Sequence, residues 1–309
     1  MKLKAQGARG ADLDEVRALL HETFLDKNWE PGALAPFYRA YETCDPDYRP
    51  AQYRFLRLRG RVISALKVFV RHLHHPGGPV PVTAIGAVCT RERLRGRGLI
   101  KPVIEDSLEY SRRIGASAML IVTPRPNYYL RHGFVYFNTN AFEGAIPHVP
   151  PGRARIEPLT LDDAAWMTEM HNAHPERYGP IVRTERYVAK WVLEMRLAQL
   201  STIGLKHVAR GRPTAYMIAT VNKDEIAVQE SVGGPRSGAA QARLLSSFLR
   251  TGRTRFECPF PAEHTLVRYL RDSGARLKHR RTERFMYRAL KDHFPVPGEE
   301  FFYSFVDFV

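Results

Sequence analysis

A short loop that combines two glycines with three arginines holds the residues best suited to chemistry in this sequence. It runs Arg93-Leu94-Arg95-Gly96-Arg97-Gly98-Leu99-Ile100, after an apolar stretch that predicts a strand and before apolar residues at helical spacing. The first N–H groups of a helix have no partner within it and carry partial positive charge. Because Gly96 and Gly98 place no side chain in the way and the arginines add charge, the loop predicts a site for a phosphorylated ligand.

The loop departs from two widespread phosphate-binding motifs. It has no G-K-[ST] of a Walker loop, and no third glycine at the position that the Rossmann fingerprint requires. Its pattern, R-x-x-G-x-G between a strand and a helix, resembles the acyl-CoA loop of the GNAT acetyltransferase superfamily. A second segment, residues 126–134, resembles the Tyr-Tyr-x-x-x-Gly-Phe motif of that family, and it follows at the expected distance of one helix and one strand.

The resemblance implies acetyl-CoA as the co-substrate and no metal. In the family, the strand before the loop pairs with the pantetheine arm, and the N–H groups of the loop hold the diphosphate. The residues assigned to the cofactor on this basis are Ala87, Val88, Cys89, Thr90, Arg93, Leu94, Arg95, Gly96, Arg97, Gly98, Leu99 and Asn127. For Asn127 two roles stay open: a hydrogen bond to the pantetheine, or a cap on the short helix that follows.

The same resemblance assigns the acid. The family tyrosine, which commonly protonates the departing thiolate, corresponds to Tyr129. A phenol with a pKa of about 10 can donate a proton to a thiolate whose acid has a pKa of about 8.5. Tyr128 is expected to pack rather than to react, and Cys89 is expected to be a small buried residue rather than a nucleophile.

A general base is harder to assign. An amine with a pKa of about 10.4 is almost fully protonated at neutral pH, so its deprotonation costs roughly 4–5 kcal/mol. Many family members carry a glutamate on or near the central strands, but residues 82–89 contain no carboxylate. Asp26, Glu30 or a water chain are alternatives. In some tandem relatives the terminal carboxylate enters the active site, so Val309 or Asp307 is a further candidate for a catalytic role, and packing of the aromatic tail is the alternative.

The elements around these motifs occur twice. A proline-rich segment, residues 145–153, divides the chain near its midpoint. Each half opens with a short strand and a helix with acidic residues in its first turn. The sequence therefore predicts an α/β protein of two tandem GNAT-like domains, 1–146 and 153–309, each with a mixed, mostly antiparallel sheet flanked by helices. This arrangement resembles the tandem GNAT proteins, which include the enhanced-intracellular-survival acetyltransferases and mycothiol synthase.

The second half lacks both motifs. At the loop position Glu230 stands three residues before Gly233, where the family pattern has an arginine, and a carboxylate there would repel a diphosphate. At the tyrosine position the chain has Leu270. We therefore expect the second half to do no chemistry and instead to shape the acceptor pocket or stabilise the first half.

Composition narrows the class of protein. The 309 residues carry a net charge of +15, which attracts polyanions, although a solvated basic surface explains the charge equally well. No run of 18 apolar residues occurs, which excludes a membrane span. Three distant cysteines predict no disulfide framework and favour the cytoplasm. His72, His74 and His75 are expected to lie in a solvated hairpin rather than to bind a metal.

These observations together predict an N-acetyltransferase that transfers an acetyl group from acetyl-CoA to an amine by direct attack. The acceptor is an amine of a small molecule or of a protein. The competing hypothesis is a basic protein that associates with nucleic acid or senses acyl-CoA without turnover, and steep salt dependence of binding would favour it.

Overall fold

The described residues form two seven-stranded sheets with helices on their faces. The structure is a computed structural model, and it describes residues 4–24, 34–136, 139–150, 152–173, 179–198, 201–282 and 285–295. The strands are β1 (Ala5–Gly7), β2 (Tyr53–Leu58), β3 (Arg61–Leu73), β4 (Val80–Thr90), β5 (Ala118–Val122), β6 (Val135–Tyr136), β7 (Thr139–Ala145), β8 (Arg155–Pro158), β9 (Thr202–Ala209), β10 (Arg212–Val221), β11 (Ile226–Gly233), β12 (Arg255–Cys258), β13 (Leu277–Thr282) and β14 (Phe285–Ala289).

The helices lie between the strands in both halves of the chain. They are α1 (Leu13–Phe24), α2 (Leu34–Thr43), α3 (Lys101–Arg113), α4 (Pro126–Leu130), α5 (Ala164–Asn172), α6 (Glu185–Tyr187), which continues as a π-helix (Val188–Arg196), α7 (Gly238–Ser247) and α8 (Thr265–Asp272). Within the described part of the chain, no helix has the length and apolar character that a membrane crossing requires.

Both sheets are mixed and mostly antiparallel, which confirms the predicted α/β class. The first sheet has the order β1-β2-β3-β4-β5-β14-β6, and only β4 and β5 run parallel. The second has the order β13-β7-β12-β11-β10-β9-β8, with β11 and β12 parallel. A hairpin joins β2 and β3 at Arg59 and Gly60, whose positive φ angles of 48° and 78° suit the two-residue turns that follow the twist of a β-ribbon.

The two faces of the first sheet are buried against different partners. One face packs on the apolar side of α3, where Val103, Ile104 and Leu108 are fully or almost fully buried. The other face packs on α1 and joins a core that continues into the second half, through Trp191 and Tyr216. Since a single apolar cluster spans both halves, burial of that face depends on both.

Each half of the chain contributes one strand to the other sheet. β14 lies in the first sheet between β5 and β6, and β7 lies in the second sheet between β12 and β13. The predicted segments 1–146 and 153–309 therefore do not coincide with the two sheets. The physical reason is edge pairing: the outer backbone groups of β5 and β12 need a partner strand, and a hydrophobic pattern marks a strand without indicating its neighbour.

A second connection joins the halves at the end of β3. Leu73 forms a β-bridge with Ile181, and the N–H of His74 donates to the carbonyl of Pro180 at 2.7 Å. The ring of His74 lies within 3.2 Å of the Asn172 amide oxygen. The hairpin expected to be solvated at His74 is thus partly covered by the second half, and among the described residues no group of three or more potential ligands could hold a metal ion.

The strand exchange predicts that the isolated first half does not fold cooperatively. A fragment of residues 1–146 lacks β14, so it exposes the edge of β5 and leaves β6 without its partner. We expect this fragment to be insoluble or to melt without cooperativity, while the full chain melts cooperatively in circular dichroism. Cooperative melting of the soluble fragment near the temperature of the full chain would contradict this dependence.

Candidate functional site

The parallel strands β4 and β5 separate after three residue pairs. Their pairing runs from Val82 opposite Ala118 to Ala84 opposite Leu120 and then ends. Among the described strands, none pairs with residues 85–90 of β4 on that side. Backbone N–H and C=O groups along this stretch are therefore available to an extended ligand.

A β-bulge interrupts β4 at the point where the strands separate. Lys67 pairs with Gly86 and Ala65 pairs with Cys89, so Ala87 and Val88 together face one residue of β3. Ala87 adopts a φ of 51°, a conformation that costs an L-residue roughly 1–2 kcal/mol. The bulge takes backbone groups out of the ladder, which is a common arrangement beside active sites.

Side chains at the bulge lie alternately on the two faces of the sheet. Ala87 packs on the core shared with α1 and the second half, whereas Val88 packs on the core under α3. Cys89 is buried, and burial raises the pKa of its thiol to about 12. Since that thiol is neutral at physiological pH, the geometry agrees with a packing role for Cys89. Thr90 is half-buried at the end of the strand.

The glycine loop presents a row of free backbone donors. The N–H groups of residues 96–100 donate to no acceptor within the described residues. Gly96 and Gly98 have φ angles of 78° and 71°, which favour glycine, and a Cβ on either would meet nothing within 4 Å. Consecutive N–H groups in such a conformation form an anion-binding concavity. The first helical residue of α3 is Lys101, so the two glycines lie in the turn before the helix rather than at its start.

The side chains of the loop divide by chemistry. Arg93, Arg95 and Arg97 are exposed, and Arg95 donates from Nε to the carbonyl of Thr90 at 3.3 Å. Leu94 and Leu99 pack against the core under α3. The apolar residues therefore anchor the loop, while the guanidinium groups stay in solvent beside the free donors.

Tyr129 lies on α4, buried in the core on the α3 side of the first sheet. Its ring meets the rings of Tyr128 and Phe134 edge-on, with centroids 5.3 Å and 5.7 Å away. Burial raises the pKa of the Tyr129 phenol, and the neighbouring Tyr128 adds to this, so the group stays protonated. The Asn127 side chain accepts a hydrogen bond from the Tyr136 hydroxyl at 3.0 Å, and Arg125 rather than Asn127 occupies the N-cap position of α4.

The candidate bases cannot be placed against this geometry. Asp26, Glu30, Asp307 and Val309 all lie outside the described residues. Their assignment therefore stays a prediction from the sequence.

A buried lysine beside the bulge is the feature that sequence reasoning missed. Lys67, opposite Gly86, has no exposed side-chain surface and donates to the Tyr41 carbonyl and, at 3.1 Å, to Asp45. Arg71 forms a second ion pair with the same carboxylate at 3.0 Å. Four aromatic rings surround the ammonium with centroids 4.3–5.9 Å away: Tyr41, Tyr48, Tyr53 and Phe69.

The charges in this cluster depend on one another. Burial lowers the pKa of Lys67 to about 8, although Asp45 opposes the shift. Burial also disfavours ionisation of Asp45, but Arg71 and Lys67 together hold the pKa of that carboxyl below its ordinary value. At pH 7 the cluster thus keeps both cations and the carboxylate, and it fastens the end of α2 to the sheet beside the bulge.

The lowered pKa of Lys67 predicts a pH dependence of stability. Between pH of about 8 and 10.5 the unfolded chain holds the Lys67 proton and the native state releases it, so the free energy of unfolding rises with pH. In urea titrations across this range, the wild type should gain up to about 1.4 kcal/mol per pH unit relative to Lys67→Met. The exposed Lys223→Met serves as the control and should follow the wild type. A constant difference between wild type and Lys67→Met would contradict the assignment.

The second half has a similar backbone arrangement at the corresponding position, but its own side chains contact that backbone. β11 and β12 pair at only two positions, and a register shift leaves Gln229 as the bulge. Beyond the bulge, His264 Nε2 donates to the Ser231 carbonyl at 3.0 Å, with Phe260 stacked on its ring. A Cβ on Gly238 would lie 2.5 Å from Tyr269, so this glycine permits close packing rather than ligand access.

Glu230 differs from its expected role. Its carboxylate has no exposed surface and forms a bidentate ion pair with Arg183, at 2.8 Å and 2.5 Å, and accepts from the Tyr216 hydroxyl. The carboxylate therefore faces the core rather than the loop, where the sequence suggested repulsion of a diphosphate. Leu270 is a buried core residue. The inactivity of the second half stays a prediction that these contacts support.

Comparison with known proteins places this geometry in a family. A family model described as an acetyltransferase (GNAT) domain matches residues 4–137, and no curated protein sequence matches the chain. A probable N-acyltransferase from Enterococcus faecalis shares the fold with a TM-score of 0.72 at 15% identity, over 94% of this chain and 73% of that one. A GCN5-related N-acetyltransferase from Kribbella flavida gives 0.66 at 17%, over 93% and 71%.

A third similar structure is Eis1 from Mycobacterium abscessus, with a TM-score of 0.61 at 14% identity, over 94% of this chain and 74% of that one. At these identities the solved structures establish the fold, and the family model carries the assignment of the first domain. Residues 4–137 therefore match the GNAT acetyltransferase domain, and the two seven-stranded sheets of the described residues have the fold of a tandem pair of GNAT-like domains.

Proposed function

We propose that the protein is an acetyl-CoA-dependent N-acetyltransferase whose first domain does the chemistry. The observation that carries the proposal is one continuous stretch of backbone. The part of β4 without a parallel neighbour leads from the bulge at Ala87 to the N–H groups of residues 96–100, which have no acceptor among the described residues. Acetyl-CoA has complementary parts in the same order, a thioester, an amide-bearing arm and a diphosphate. The family match of residues 4–137 supports acyl transfer as the reaction class.

Residues along this path would hold the co-substrate. The backbone of residues 87–90 would pair with the pantetheine arm, and the loop from Arg93 to Leu99 would hold the diphosphate, with its exposed arginines adding charge. Because the Asn127 side chain already accepts from Tyr136, a bond from its amide N–H to the pantetheine is the role that the contacts leave available.

The reaction requires stabilisation of negative charge on the thioester oxygen. As the acceptor amine attacks the carbonyl carbon, a backbone N–H near Val88 would donate to the developing oxyanion. A donor held rigidly by the β-bulge needs no reorganisation during the reaction, which is why a strained residue such as Ala87 is useful at this position.

Tyr129 would protonate the departing thiolate. Its raised pKa keeps the phenol protonated before the reaction. Burial penalises a thiolate in the same place, so the pKa of the leaving thiol also rises and the proton transfer is less unfavourable than the phenol alone suggests. The base that receives the amine proton is unassigned, and Val309 or Asp307 remains the proposal from the sequence.

The three cysteines are free buried thiols, which suits a reducing compartment, and we propose that the protein acts in the cytoplasm.

The acceptor is an amine of a small molecule or of a protein. A protein that binds acetyl-CoA without turnover would instead be a sensor, so binding of acetyl-CoA and turnover are tested by separate measurements.

The loop can be tested with two nearly isosteric substitutions. Asn and Asp tolerate the left-handed conformation of Gly98, and their side chains would point into the open space above the loop. We expect Gly98→Asp to weaken acetyl-CoA binding about tenfold more than Gly98→Asn, or about 1.4 kcal/mol, because only the first repels the diphosphate. Isothermal titration calorimetry measures this, with Gly211→Asp, in an exposed turn, as the control. Equal affinities of the two loop variants would place the diphosphate elsewhere.

Catalysis is tested at the phenol. We expect Tyr129→Phe to lower kcat by about 10²-fold with little change in the KM for acetyl-CoA, because only protonation of the leaving group is lost. Release of free thiol from acetyl-CoA over a panel of amines provides the assay. Tyr128→Phe, on the neighbouring residue, should keep nearly full activity. Full turnover by Tyr129→Phe would show that another group is the acid.

A further inference from the structure

An arginine from the second half of the sequence reaches the helix that carries Tyr129. Arg288 lies on β14, where it pairs with Met119 of β5 inside the first sheet. Its guanidinium donates from Nη1 to the main-chain carbonyl of His132, just beyond the end of α4. The exchanged strand therefore brings a cation from the second half of the sequence to a main-chain carbonyl of the first domain.

The contact is close and specific to the turn after α4. Gly133 has a φ of 74°, and a Cβ there would lie 3.4 Å from Arg288 Nε and Cζ. Carbonyls at the end of a helix carry partial negative charge, so a guanidinium is the favoured partner. Arg288 is only half-buried, and Glu105 is the acidic group that favours its charge, while Arg112 opposes it.

This turn determines where Tyr129 lies. The N–H of His132 donates to the Tyr129 carbonyl at 2.9 Å, and the N–H of Phe134 donates to the same oxygen at 3.3 Å. The Phe134 ring then packs edge-on against the Tyr129 ring. A shift of the peptide between His132 and Gly133 would therefore move both partners of Tyr129.

The exchanged strand also reaches the other end of α4. Met286 pairs with Tyr136 of β6, and the Tyr136 hydroxyl donates to the side chain of Asn127 in the first turn of the helix. β14 thus contacts α4 at its end through Arg288 and at its start through β6. Helix α4 has only five residues and therefore few hydrogen bonds of its own, so these two contacts contribute substantially to its position.

We propose that Arg288 is a positioning residue for Tyr129, and that the second half completes the active site of the first by this contact. The inference rests on the proposed role of Tyr129 as the acid. Arg288 is not proposed to contact a reacting atom. It acts by holding the turn at His132 and Gly133, whose neighbouring N–H groups donate to the Tyr129 carbonyl.

A double-mutant cycle tests the inference in the full-length protein. We expect Arg288→Met to lower kcat about tenfold or more, with the KM for acetyl-CoA within about twofold of wild type, because a small displacement of a catalytic group is costly. In the Tyr129→Phe background the same substitution should have no further effect on kcat. Arg288→Lys, which keeps a charged donor, should recover part of the loss. Arg276→Met, at an exposed arginine, is the matched control.

Each outcome has one interpretation. An unchanged kcat in Arg288→Met, or an equal fall in the wild-type and Tyr129→Phe backgrounds, would overturn the inference. If Tyr129→Phe alone keeps full activity, the proposed acid has failed instead, and the cycle separates that result from a failure of Arg288.

A measurement without turnover covers the case in which Arg288→Met folds poorly or no acceptor is found. Hydrogen exchange in Arg288→Lys and Arg288→Met should accelerate at the amides of residues 132–134, by about tenfold or more for Met and less for Lys, with α3 unchanged. Uniform acceleration throughout the chain in both variants, or an unchanged rate at these amides, would overturn the inference.

Discussion

Backbone groups that lack a strand partner are the constraint on which this site depends. A polar main-chain group removed from water needs a hydrogen-bond partner, and a sheet normally supplies it. Here β4 loses its parallel neighbour after Ala84, bulges at Ala87, and passes into a loop whose N–H groups from 96 to 100 are free. Among the described residues, the fold therefore leaves backbone groups without a strand partner on the β5 side from residue 85 of β4 to residue 100, and these groups suit a ligand with amides and a diphosphate in that order.

The second half has a similar backbone arrangement, but there side chains contact the corresponding backbone groups. β11 also pairs briefly with its parallel neighbour and also bulges, at Gln229. There His264 bonds the carbonyl of Ser231, and Tyr269 packs directly on Gly238. The two halves therefore differ in the side chains that contact the backbone beyond the bulge, rather than in the path of the chain. These side-chain contacts support the prediction that only the first half does the chemistry.

Exchange of strands ties the two domains into one unit. Each sheet is completed by a strand from the other half, β14 in the first and β7 in the second. A common apolar core lies between them, and each half also buries an ion pair, Lys67 with Asp45 and Glu230 with Arg183. Removal of one partner from such a pair leaves a buried charge, which is strongly destabilising.

The sequence by itself determined the local structure of the site. Apolar patterns predicted the strand before the loop and the helix after it, because backbone conformation follows from nearby residues, and the family resemblance indicated the short helix near Tyr129. Glycines at 96 and 98 marked the turn for the same reason. Only the tertiary structure decided that β14 lies beside β5, that Lys67 is buried against Asp45, and that Glu230 faces the core. Such partners come from distant parts of the chain, and a local pattern specifies a strand or a charge without specifying what packs beside it.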